Sequence, residues 1–86
     1  MNNKVLIKLI VPEIDSKFDV FIPVNELIWK IKKMLVKSIS DVKGVNLDMK
    51  KDYILLKKDN SRIYKNNEIV IDTDIRNASE LFLFSK

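Results

Sequence analysis

Two periodicities divide the chain. Between Lys4 and Val11, Val5, Ile7 and Leu9 alternate with Leu6, Lys8 and Ile10, giving one wholly apolar face and one mixed face. A period of two predicts a strand over about 4–11. Pro12-Glu13-Ile14-Asp15-Ser16 then carries turn formers. Phe18, Val20 and Ile22 alternate with Lys17, Asp19 and Phe21, which predicts a second strand. The short connection makes the two an antiparallel hairpin. Pro23 has no N–H to give to a ladder and closes the second strand.

The period changes after Pro23. Leu27, Ile28, Ile31, Met34, Leu35 and Ile39 fall at helical spacing on one face, with Lys30, Lys33 and Lys37 on the other. This predicts a helix over about 26–40. Asn25 is its candidate N-cap, and Glu26 suits the positive end of the helix dipole. Gly44 follows where a positive φ is needed at the helix exit. Tyr53-Ile54-Leu55-Leu56 reads as a third strand. Asp59-Asn60-Ser61 reads as a turn, Arg62-Ile63-Tyr64 as a short returning strand, and Lys65-Asn66-Asn67 as a second turn. Residues 69–75 are less regular, with Asp72-Thr73-Asp74 as a cap or tight turn. Leu81-Phe82-Leu83-Phe84 is the final strand. A sheet covered on one face by one amphipathic helix is a two-layer α+β sandwich.

The bulk of the chain narrows the chemistry. Its 86 residues suit a single domain, 1–86. Cysteine and histidine are both absent, which removes disulfides, thiolate chemistry and the commonest general base and metal ligand. The one glycine is too few for a phosphate-binding or dinucleotide-binding loop. Asp72 and Asp74, two apart, would share a strand face and could hold a hard cation, but a turn and cap is the preferred reading. No catalytic residue, cofactor or metal is expected. No apolar run approaches the roughly 20 residues of a membrane span. Lys8 interrupts the first apolar run and no small-residue cleavage site follows, so that run reads as a strand and not a signal peptide. The expected location is cytoplasmic, at most peripheral to a membrane complex, without direct insertion.

The net charge of +4 raises nucleic acid or an anionic surface as a partner. Only Arg62 and Arg76 among sixteen basic residues are arginine, the residue favoured for base and bidentate phosphate contacts. A chain rich in Ile, Lys and Asn and poor in Gly and Ala reflects AT-rich coding more than a binding surface. Nucleic acid is therefore the secondary reading.

The order and spacing of elements resemble the ubiquitin-like β-grasp fold over nearly the whole chain. Val70-Ile71-Asp72-Thr73-Asp74-Ile75, followed by Leu81-Phe82-Leu83-Phe84, is similar to the ubiquitin segment Leu-Ser-Asp-Tyr-Asn-Ile followed by Leu-His-Leu-Val. Ile28, Ile31 and Leu35 fall where ubiquitin's helix places core residues. The resemblance implies a mixed four- to five-stranded sheet with the helix on one face. It also implies a central parallel pairing of residues 4–11 with 80–85. Within that superfamily the chain resembles the YukD/EsaB-like accessory proteins of bacterial type VII (WXG100) secretion. Those are about this long, open on a Val-rich strand and carry a Pro shortly before the helix, as Pro23 does here. Ubiquitin and the sulfur carriers end in Gly-Gly. Here the sequence ends Phe84-Ser85-Lys86, so conjugation and sulfur-carrier chemistry are not expected.

If Val5, Ile7, Leu9, Phe18, Val20, Ile22, Leu81 and Leu83 face the helix, the pleat puts other residues on the open face. That set is Leu6, Lys8, Ile10, Phe21, Leu55, Phe82 and Phe84. Leu55 and Phe84 occupy positions similar to members of ubiquitin's docking patch. Contiguous apolar surface of this kind marks an interaction face. Trp29, beside Lys33, reads as packed at the core edge, with a second docking point as the alternative. The expected function is non-covalent protein binding, as an accessory or regulator of a secretion machine. The expected partner is a protein, with a membrane component of that machine or a second copy of the chain as candidates.

Overall fold

The hairpin forms as the alternation requires. The computed structural model describes residues 3–86, and in it β1 (Lys4–Val11) pairs antiparallel with β2 (Ser16–Pro23), Val5 opposite Ile22 and Leu9 opposite Phe18. A 3-10 turn over Pro12–Ile14 joins them. Pro12 brings a preset φ to its first position. Asp15 leaves it in the left-handed region (φ 48°), which an Asp side chain tolerates, and its N–H donates to the Pro12 carbonyl.

The helix α1 spans Ile28–Lys43 and buries Ile28, Ile31, Leu35, Val36 and Ile39. It starts two residues later than the spacing predicts, and Asn25 is not its cap. Leu27 holds that place with no side-chain bond. The N–H groups at the helix start are taken by chain backbone instead. Ile28 N–H donates to the Glu68 carbonyl at 2.9 Å and Trp29 N–H to that of Asn66 at 3.3 Å. A helix start needs its orphan donors satisfied, and a passing segment does this as well as a side chain. The far end extends to Lys43, because Gly44 (φ 67°) supplies the left-handed cap and donates its N–H to the Ser40 carbonyl.

Beyond the helix, β3 (Tyr53–Lys57) pairs antiparallel with β4 (Glu80–Ser85), and β4 pairs parallel with β1. The sheet is four-stranded, ordered β2-β1-β4-β3. The central parallel pairing sets Leu9 beside Leu81. This is the mixed sheet and single helix of a β-grasp. The expected fifth strand shrinks to one bridge, Ile63 to Leu56. The Lys65 N–H donates to Glu68 Oε1 and the Glu68 N–H to the Lys65 carbonyl, so the chain turns away after one pair.

The inward set is as the alternation requires. Ile7, Leu9, Ile22, Leu81 and Leu83 are buried, and Val5, Phe18 and Val20 pack against them. The irregular stretch before β4 is held by polar contacts centred on Asp74. Tyr64 Oη donates to Asp74 Oδ1 at 2.6 Å, while Lys57 and Asn60 reach Oδ2 at 3.3 and 3.2 Å. Arg62 lies 3.4 Å from Asp74 and 2.7 Å from Glu68. Asp74 is thus a structural hub. Asp72 is exposed at the end of a 3-10 turn, Val70–Asp72, closed by Thr73 Oγ1 on the Val70 carbonyl. Among the described residues, no helix is long and apolar enough to cross a membrane.

Candidate functional site

The register decides what the open face of the sheet carries. Directly opposed residues share a face. β1 contributes Leu6, Lys8 and Ile10, and β2 contributes Lys17, Asp19 and Phe21. β4 contributes Phe82 and Phe84, and their partners on β3 are Leu56 and Ile54. Six of the seven residues expected on this face are there. Leu55 is the correction: it is opposite Leu83, faces the helix and is 0% exposed. Three consecutive apolar residues, Ile54 to Leu56, have no internal alternation to phase them, so only the pairing with β4 shows which one turns inward.

The face has two apolar regions. Leu6 and Phe21 are cross-strand partners and are 37% and 58% exposed. They border an open groove with Asn77 and Ala78. That turn is fixed to β1, since Leu6 N–H donates to Asn77 Oδ1 at 2.9 Å and Ala78 N–H to the Leu6 carbonyl at 2.8 Å. The second region joins Ile10, Phe82 and Leu56 across three strands, with Phe84 beside Ile54, all half-buried. Lys8 lies between the regions, opposite Asp19 on one side and Glu80 on the other. This row of alternating charge, with Lys17 as a further cation opposite Ile10, gives the apolar surface a direction. Glu80 also meets Lys58 at 3.2 Å.

Trp29 is 41% exposed on the opposite layer. The ammonium groups of Lys30 and Lys33 lie 5.6 and 5.9 Å from its ring centre, within cation–π range. Lys30 also reaches Glu26, four residues earlier, at 3.9 Å. The helical spacing brings Lys33 to Trp29. It gives no sign that Met49, Lys50 and Lys51 pack beside them, because that juxtaposition is made by the loop entering β3. Among the described residues, no cluster of carboxylates is placed to hold a metal ion.

Sheet order, parallel centre and single covering helix define the ubiquitin-like β-grasp fold. Solved structures bear this out. The ubiquitin-like domain of the type VII secretion protein EccD1 of Mycobacterium tuberculosis superposes with a TM-score of 0.74 at 15% identity, over 99% of this chain and all of that one. A chain of the MycP5-free ESX-5 inner membrane complex gives 0.73 at 14% identity, over 95% of this chain and 21% of that one. A chain of the toluene 4-monooxygenase complex with 4-bromobenzoate gives 0.77 at 4% identity, over 96% and 99%. At such identities the likeness concerns the fold, and this fold serves both an enzyme complex and secretion domains. No protein-family model and no curated protein sequence matches the chain.

Proposed function

We propose that this chain is a non-covalent protein-interaction module, an accessory or regulatory component of a bacterial type VII secretion system of the YukD/EsaB kind, and not itself an enzyme. The observation that carries the proposal is the exposed Leu6–Phe21 pair on the sheet face opposite α1, which no helix covers among the described residues. Burying a fully exposed side chain of this kind contributes about 1.5–3 kcal/mol, and the exposed parts of Leu6 and Phe21 contribute a share of it. The pair can therefore anchor a partner, while Ile10, Phe82 and Phe84 extend the contact and Lys8, between two carboxylates, fixes its orientation. The secretion reading is supported by likeness to the EccD1 domain and to the ESX-5 inner membrane complex. The partner is a component of such a complex, and the chain works beside the membrane without entering it.

The test is affinity capture in the native cell with wild type and with the Leu6→Asp, Phe21→Asp double variant, thermal melting confirming that both are folded. Secretion components should be recovered by wild type and lost by the variant. Equal recovery by both would remove the sheet face from the account. A second copy of the chain is the alternative occupant, favoured by the free outer edge of β2 next to Phe21. Sedimentation of the two proteins separates these readings, since only self-association makes wild type heavier than the variant.

A further inference from the structure

A cleft of about 200 Å³ opens between α1 and the loop entering β3. Its lining includes four lysines, Lys32 and Lys33 from the helix and Lys50 and Lys51 from the loop, against one carboxylate, Asp52. Among the described residues, none of these four lysines is in an ion pair, whereas Lys30, Lys57, Lys58 and Arg62 are. Lys32 Nζ is held in place by donating to the Tyr53 carbonyl at 2.8 Å. An ammonium has three donors, so two are left to point elsewhere. Burial, with the nearby charge of Lys86, pushes the Lys32 pKa down against the pull of Asp52. Apart from Asn66, the rest of the lining is apolar or aromatic. Trp29 and Met49 are 41% and 44% exposed there.

Ammonium groups outside any ion pair, set around exposed apolar side chains, fit a ligand that combines carboxylates with an apolar anchor. We propose that this cleft docks an acidic segment of a partner protein, its carboxylates on Lys32, Lys33, Lys50 and Lys51 and an apolar side chain against Trp29 and Met49. A nucleic acid fits less well. No arginine lines the cleft, and single strands need a groove that follows the backbone over several nucleotides. The surface lies on the helix layer and the open sheet face on the other, so either can fail without the other.

Trp29 is the only tryptophan and reports on the cleft directly. The probe is a short synthetic peptide of glutamates around a central Phe-Leu pair. Its glutamine analogue and an oligothymidylate of equal length are the comparisons. The ¹⁵N-labelled full chain is titrated with each while Trp29 emission is followed. The glutamate peptide should change Trp29 emission and shift amides within 29–36 and 49–53. The glutamine analogue, or a Lys33→Glu, Lys50→Glu variant, should bind at least about tenfold more weakly. The Leu6→Asp, Phe21→Asp variant should bind the glutamate peptide within about twofold of wild type. Absence of saturation, amide shifts confined to the sheet face, equal binding of the glutamine analogue, or equal binding of the oligothymidylate would each overturn the proposal.

Discussion

Leu55 and Phe21 are both large apolar residues in strands, yet they do opposite things. Leu55 is enclosed between α1 and the sheet, and Phe21 is more than half exposed. Truncating a buried Leu removes its transfer energy and leaves a cavity, whereas truncating an exposed ring leaves neither. Leu55→Ala should lower unfolding stability by about 2–5 kcal/mol. Phe21→Ala should change it by no more than about 0.5 kcal/mol. Urea denaturation of the two variants checks the pair. Equal losses would mean that the facing of β3 is wrong. The sequence shows Phe21 plainly, because Asp19 and Lys17 share its phase while Phe18, Val20 and Ile22 share the other. Leu55 has no such neighbours to phase it, and its facing is a property of the β3–β4 register alone.

Among the elements, the hairpin, the helix and the last strand were legible because their patterns are local. Between Lys58 and Ile75 the turn formers at 59–61 and 65–67 were legible as turns, but the packing of the segment was not, since its order comes from contacts distant in sequence. Tyr64, Arg62, Lys57 and Asn60 all converge on Asp74. The Tyr64 hydrogen bond, helped by those from Asn60 and Lys57, holds the Asp74 carboxyl at about 2, below its ordinary 3.8. A carboxyl depressed in the folded state stabilises it fully above the unfolded value. That contribution fades as pH falls from about 4 toward 2 and is gone below both values. Glu68 is also lowered, by the Lys65 N–H first and then by Arg62, so it adds to the same acid limb. The Tyr64 hydroxyl shifts the other way, raised by burial and by Asp74, and stability should fall as pH rises past 10. Asp74→Asn should therefore flatten the stability curve between pH 4 and 2 without abolishing its slope. Tyr64→Phe should bring the folded Asp74 value back toward 3.8, shrink the acid limb in the same way, and cost about 1 kcal/mol at neutral pH, a low value for a charged hydrogen bond because Asp74 is a third exposed. Unfolding midpoints measured across pH decide both.

The whole molecule offers a partner two separate surfaces, an apolar sheet face with a charged row and a lysine-lined cleft on the helix layer. Such an arrangement suits a chain that joins other proteins, and the fold by itself does not say which. On the proposed function, the Leu6–Phe21 region is occupied in the cell. Phe21 and Ile71 offer a matched comparison, since they are 58% and 59% exposed and Ile71 lies outside the sheet. A photo-crosslinking phenylalanine placed at each position in turn, activated in the native cell and followed by mass spectrometry, measures occupancy directly. Crosslinks from position 21 to a membrane component of a secretion complex, absent from position 71 and lost on Leu6→Asp, are the expected result. Equal crosslinking at the two positions, or none at position 21, would contradict the account.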